Sequence, residues 1–251
     1  MFSPALQQLS LNATHPYYPL NVSIPGYIAN TTEPLALVSV FASSCALVFA
    51  TTWLIVKNTR PSLSTSDFLT IIWFVMCGFI HLVIEGYYSY NFLTIASNTD
   101  LLAQMWKVYS LSDSRYLTQN AFVLSMESVT ALFWGPLSFL VSYLILTDHQ
   151  LRHPLQSVLS LGQLYGDVLY YATNIFDEWV YGWSYSRPEP EVFWGLYVGL
   201  NAVWMVIPSV LLFTSVRAGG RAFAALAKME KLLATRKNGT VKKSMKSDQF
   251  F

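Results

Sequence analysis

Four ionisable side chains, His81, Glu85, Glu127 and Asp167, lie inside long apolar runs, accompanied there by Thr130, Gln163, Asn201 and Trp204. A charge at the centre of a membrane helix costs on the order of 2.5 to 3.5 kcal/mol on insertion scales, so groups kept at such positions are candidates for function. Burial favours the protonated form of a carboxylic acid, a histidine beside a second carboxylate can take a proton, and an aromatic face stabilises a cation without reacting with it. This set suits adding a proton to an apolar substrate and removing another. The chain carries no phosphate-cradling glycine loop, no histidine pair at metal-ligand spacing and no nucleophile beside a base, so hydrolysis and redox chemistry fit it poorly, and neither metal nor cofactor is expected. A lipid with a double bond, arriving from the bilayer, is the natural substrate.

Spacing groups these residues further. His81 and Glu85, four apart, share one helix face, as do Glu127 with Thr130 and Asn201 with Trp204, each pair three apart. Counted from one end of each helix at ~1.5 Å per residue, Glu85 and Glu127 lie roughly 8 to 9 Å deep, His81, Thr130, Asp167 and Asn201 roughly 14 Å, and Trp204 roughly 18 Å. Residues of four helices thus fall in one layer, whichever way the chain is oriented. The competing reading is that each polar group satisfies a group on another helix and does no chemistry.

The elements that must carry this layer follow from composition. Of 251 residues, 53% are hydrophobic and 12% charged, about half the charge of an ordinary soluble domain. Five apolar segments are long enough to span a bilayer, at roughly residues 34 to 56, 68 to 90, 121 to 146, 155 to 176 and 192 to 216. The expected fold is all-α, a polytopic membrane protein whose five transmembrane helices enclose an intramembrane polar cavity. Residues 1–33 form an arm, 34–216 the membrane catalytic domain and 217–251 a basic tail. With the N-terminus in the lumen, twelve of the fifteen basic residues face the cytoplasm, and only Lys107, Arg115 and Arg187 do not. The arm has no basic residue and carries glycosylation sequons at Asn12, Asn21 and Asn30, whereas the sequon at Asn238 would be cytoplasmic. Phe223, Leu226 and Leu233, interspersed with Lys228, Lys231 and Arg236, suit a basic amphipathic helix on the membrane surface or a solvated tail. Cys45 and Cys77 lie in apolar runs as packing residues. No cleavable leader is apparent, so the first spanning helix directs insertion and the mature chain starts near Met1.

Several motifs converge on one family. They run from His81-Leu-Val-Ile-Glu85-Gly86 through Trp106-Lys107-Val108-Tyr109, Asp113-Ser114-Arg115-Tyr116, Met126-Glu127-Ser128-Val129-Thr130 and Trp134-Gly135-Pro136-Leu137-Ser138. Gly162-Gln163-Leu164-Tyr165-Gly166-Asp167 and Asn201-Ala202-Val203-Trp204 complete them. From about Pro61 to Arg217 the chain resembles the emopamil-binding protein family, which includes the isomerase moving the sterol 8(9) double bond to 7(8). The resemblance implies that His81, Glu85, Glu127, Thr130 and Asn201 are catalytic and that Trp204 faces the developing cation. It adds Trp106, Tyr109, Gln163, Tyr165 and Asp167 to the substrate-binding set. In the implied mechanism the sterol is protonated at C9, a cation forms at C8 and a C7 proton leaves. We assign Glu127 to the donating side and the His81/Glu85 pair to proton removal. The Asp113 to Tyr116 group is expected to brace the loop over the cavity, and Asp167 to pair with another helix.

The implied location is the endoplasmic reticulum membrane, although the chain ends Asp248-Gln249-Phe250-Phe251 without a dilysine retrieval signal. Partners are a membrane-embedded sterol or terpenoid, cationic amphiphilic amines as inhibitors and no nucleic acid, and a homodimer is compatible. Two enzyme readings stay open, a sterol isomerase and a proton-initiated isomerase or cyclase of another terpenoid. A non-catalytic sterol- or amine-binding protein related to the sigma-2 receptor fits less well, because His81 and Glu127 are present. A transporter is disfavoured because no repeat supplies two symmetric halves.

Overall fold

The computed structural model describes residues 15–247, with side chains for residues 15–235. The Asn12 sequon and residues 248–251 lie outside the described residues, as do the side chains of Asn238 and of the basic residues from Arg236 onward.

Among the described residues the regular structure is all helical, with no strand. Helix α1, Pro34–Thr59, opens with proline, whose fixed φ suits a first turn and whose missing N–H is not needed there. Its outer face, with Leu35, Leu47 and Leu54, is exposed, and Leu37, Thr52 and Val56 are buried. Helix α2, Thr65–Asn91, starts at Ser64, whose side chain accepts from the Asp67 amide. Short helix α3, Leu101–Tyr109, is capped by Asp100, which accepts from Leu102 and Ala103. Helix α4, Ala121–Leu146, is capped by Asn120 in the same manner. Each cap satisfies amides that the first helical turn leaves without partners. Helix α5 spans Arg152–Tyr181, and a π-helical Glu191–Leu200 run leads directly into α6, Asn201–Ser247.

Four of these segments, α1, α2, α4 and the last, are long and apolar enough to cross a membrane. The expectation of five is met only in part, because α5 is long enough but too polar. Its interior face carries Gln156, Ser160, Gln163, Asp167 and Asn174, all buried. Its polarity is turned inward, a requirement for any helix that meets lipid on its other side.

At one end of the bundle, Arg60 donates to the Leu146 carbonyl at 2.9 Å and Arg152 pairs with Asp67, tying the α1–α2 loop to the end of α4 and the first turn of α2 to the start of α5. The other end is closed by the arm, α3 and the loop before α4. There the Lys107 ammonium donates to the carbonyls of Ile28 and Asn98 at 2.8 and 2.7 Å, and Tyr17 donates to the Lys107 carbonyl. Gln104 accepts from the amides of Thr31 and Thr32 and takes a bond from Asn30 on its carbonyl. The described part of the arm, residues 15–33, is therefore part of a folded lid. Its two described sequons differ: Asn21 is exposed, while the Asn30 amide nitrogen is engaged with Gln104. Beyond the bundle, α6 continues through Gly219 and Gly220 into the basic tail without interruption. At ~1.5 Å per residue its 47 residues extend about 70 Å, more than twice the hydrocarbon thickness.

Candidate active site

Helix α2 changes winding where the chemistry sits. Ile80–Glu85 is π-helical, as is Thr130–Trp134 in α4, and the Glu191–Leu200 run ends immediately before Asn201. A π turn inserts one residue and re-aims those that follow, and such turns concentrate at functional positions. In α2 the result is a contact between His81 Nδ1 and Glu85 Oε2 at 2.8 Å. His81 is 3% exposed, and the Glu85 carboxyl meets that of Glu127 from α4, itself 4% exposed.

Two glycines allow the helices to approach this closely. A Cβ on Gly135 would lie 2.8 Å from Leu82 and 3.4 Å from the His81 Cβ, and one on Gly162 would lie 2.4 Å from the Trp134 ring. The first lets α4 pass against His81. The second seats α5 on α4 so that the next residue, Gln163, brings its amide to 3.2 Å from His81 Nε2. A donating amide needs a lone pair on Nε2 and so places the imidazole proton on Nδ1, facing Glu85. From α6, the Trp204 ring lies 5.0 Å from the His81 ring and 4.9 Å from Trp73. Side chains of α2, α4, α5 and α6 thus meet around one imidazole.

The lid reaches the same place. Tyr116, in the short Ser114–Tyr116 turn, donates to Glu127 Oε1 at 2.6 Å. Its ring lies 4.8 Å from Trp106 and 5.3 Å from Tyr109. Burial first, and then the neighbouring Glu127 charge, push the Tyr116 hydroxyl well above the ordinary tyrosine range, so it remains a donor. The turn is pinned by Arg115, which donates to both oxygens of Asp113, to Thr173 and to the Tyr170 carbonyl. Tyr109 donates to Asn201 Oδ1 at 3.3 Å, and Asn201 also donates to the Tyr197 carbonyl at 2.7 Å. Trp106 donates to the Ile84 carbonyl at 3.0 Å, beside Glu85.

Other sequence candidates fall differently. Thr130 opens the π-helical run of α4, its hydroxyl donating to Met126 on its own helix at 2.8 Å. Tyr165 is 64% exposed on the outer side of α5 and does not join the group. A residue two positions from Gln163 on a helix points about 200° away from it, so membership of a shared motif does not give a shared face. Asp167 faces inward, but its Oδ2 has no hydrogen-bond partner, contrary to the expected interhelical pairing. Tyr116 was read from sequence as a loop brace alone. Its place beside Glu127 follows from the lid fold, and no periodicity links the two residues. Two grooves on the outer surface, one along α1 at Ser39 to Leu47 and one between Leu164 and Phe213, contain none of these residues. No cluster of three or more metal-ligating side chains occurs among the described residues.

Chemically, the arrangement joins a carboxyl held by a phenol, a second carboxyl, an imidazole and a tryptophan face. Residues 101–215 match the family model described as EXPERA (EXPanded EBP superfamily). The chain is 39% identical over 204 residues to the 3-beta-hydroxysteroid-Delta(8),Delta(7)-isomerase of Rattus norvegicus, covering 81% of this chain and 87% of that protein. It is 33% identical to the probable isomerase of the same name from Arabidopsis thaliana, covering 79% and 86%. It is also 31% identical to the protoglabretal synthase of Citrus sinensis, covering 67% and 77%.

Proposed function

The chain belongs to the EXPERA (expanded EBP) family, and we propose that within it the protein is a sterol Δ8,Δ7-isomerase working by protonation, carbocation formation and deprotonation inside the membrane. The observation that carries the mechanism is the contiguous group Glu127, Glu85, His81 and Trp204. Because Glu127 Oε1 accepts from Tyr116, the proton of the neutral acid sits on Oε2, the oxygen left for substrate. Glu127 gives this proton to C9, forming the C9–H bond with the electron pair of the 8(9) double bond. The C8 cation lies between carboxylate charge and the Trp204 face. Glu85, oriented by His81, takes the C7 proton, and the C7–H pair becomes the 7(8) double bond. Thr130 and Asn201 support this constellation, with Trp106, Tyr109 and Gln163 shaping the sterol site.

Five spans are part of this reading, with α5 crossing the membrane behind its inward polar face. Residues 1–33 are the lumenal arm, 34–216 the catalytic domain and 217–251 the cytoplasmic tail of an endoplasmic reticulum protein. Support comes from the basic residues: Lys107 and Arg115, two of the three on the lid side, are each 1% exposed, the first held by the Ile28 and Asn98 carbonyls and the second paired with Asp113. The remaining twelve lie at or beyond the opposite end of the bundle. The five helices enclose an intramembrane polar cavity that takes the sterol, and cationic amphiphilic amines compete for it.

The 31% identity to proteins named protoglabretal synthase and isomeliandiol synthase favours one second reading, a proton-initiated reaction on another terpenoid. Membranes containing the protein are offered an 8-ene sterol beside terpenoid epoxides and the products analysed. A 7-ene sterol supports the isomerase; an unchanged sterol with a rearranged terpenoid supports the second reading instead.

A further inference from the structure

Along the inner face of α5, Gln156, Ser160, Gln163, Asp167, Tyr170 and Asn174 recur at intervals of four and three residues, all buried. Such a row covers about 27 Å of helix, close to the whole hydrocarbon thickness. If it were interhelical glue, its members would be paired. Some polar atoms of α5 are, since the Gln156 amide donates to Leu211 and Tyr171 donates to Val198. Yet Gln156 Oε1, Ser160 Oγ, Asp167 Oδ2 and Asn174 Nδ2 are buried without a hydrogen-bond partner. An unmade bond of this kind costs about 1 to 3 kcal/mol, so several in one row call for an explanation.

Their spacing supplies one. Successive members rise by about 4.5 to 6 Å, too far for a direct bond and close to the roughly 5.6 Å spanned by two hydrogen bonds through one water. The row also touches the reacting groups, because Gln163 contacts His81 at 3.2 Å. On its lid side, Asp167 is one turn further, Asn174 two turns beyond that, and Asp177 then accepts from Tyr185 in the α5–α6 loop at 3.0 Å. Asp167 is the one carboxyl in the row, the group whose acid form is most readily given up and regained.

We propose that this half of the α5 polar face is the proton route between the His81–Glu85 pair and solvent on the lid side, with Asp167 as its relay. The inference rests on the assignment of those two residues to proton removal. Each turnover consumes one proton at C9 and releases one from C7, so the balance is zero, but the released proton starts on Glu85 and the next is needed on Glu127. It can pass directly between the two carboxyls, or leave to solvent while another arrives. The route provides the second course and makes exchange faster than internal return.

The two courses leave different products. An 8-ene sterol carrying deuterium at both C7 positions, turned over in ordinary water, loses its abstracted deuterium to solvent in the parent and gains hydrogen at C9. In Asp167→Asn, and independently in Asn174→Leu, the route is interrupted and a several-fold larger fraction of the 7-ene product carries deuterium at C9. This fraction is a ratio within the product, so it does not depend on how much variant folds or how fast it turns over. Extensive transfer to C9 in the parent, or equal fractions in parent and both variants, overturns the route while leaving the isomerase intact. Absence of any 7-ene product from the parent instead overturns the isomerase reading itself.

Discussion

The Tyr116 hydroxyl meets Glu127 Oε1 at 2.6 Å, joining a turn of the lid to a carboxyl in the first third of α4. The bond occupies Oε1, on the carboxyl that also meets Glu85. Tyr116→Phe keeps the ring against Trp106 while removing the donor. A hydrogen bond to a charged group is worth about 1.5 to 3 kcal/mol, so kcat is expected to fall about 10- to 100-fold with little change in sterol affinity. The measurement is kcat against KM in membranes. A loss confined to KM would show that Tyr116 only shapes the pocket.

The close approach at Gly162 and Gly135 makes a second, structural prediction. Gly162→Ala drives a methyl into the Trp134 ring and is expected to cost about 1 to 3 kcal/mol, read as earlier thermal inactivation in detergent. Gly166→Ala, with nothing within 4 Å of the added carbon, is the control and should not lower it. Gly135→Ala presses on Leu82 and His81 together, so activity should fall more than stability does.

Cationic amphiphilic amines should inhibit, since an ammonium in an apolar body imitates the C8 cation. Trp204→Leu removes the aromatic face beside His81, and a desolvated cation–π contact of up to about 2 kcal/mol predicts a loss of inhibitor affinity of up to about 30-fold. Competition binding with a tertiary amine measures it. Equal affinity in parent and variant would place the cation elsewhere.

Orientation is tested in sealed microsomes. A tag after Phe251 should be digested by added protease and a tag before Met1 protected, with the arm folded on the lumenal side. The reverse pattern would contradict the twelve-to-three distribution of basic residues.

Much of the helical frame was legible because apolar runs report helices that meet lipid. The same signal weakened at α5, whose buried face is polar enough that length and apolarity mark four spans and leave this helix out. Counting depth along each segment brought His81, Glu85, Glu127 and Trp204 to one layer, since helical rise is nearly constant. What hydropathy does not encode is local winding, such as the π-helical run at Ile80–Glu85. Nor could it reveal Tyr116, eleven residues before Glu127 and on a different element. Tyr165 lies on the outer side of α5 although it shares a motif with Gln163, because a motif is contiguous in sequence while a helix face is not. The lid role of the arm escaped because the bonds of Lys107 and Gln104 link residues more than seventy positions apart.

The central claim is that Glu127 supplies the proton that starts the reaction. Protonating an unactivated alkene gives a cation that a nearby carboxylate must stabilise. At ~4 Å and an effective dielectric of about 20, one carboxylate contributes about 4 kcal/mol, on the order of a thousandfold in rate. Glu127→Gln retains the shape and still accepts from Tyr116 through its carbonyl oxygen, but it can neither donate an acidic proton nor carry charge. The direct measurement is conversion of an 8-ene sterol to its 7-ene isomer by membranes containing Glu127→Gln at parental abundance. The account predicts bound sterol and a rate at least about a thousandfold below the parent; a rate near that of the parent would contradict it.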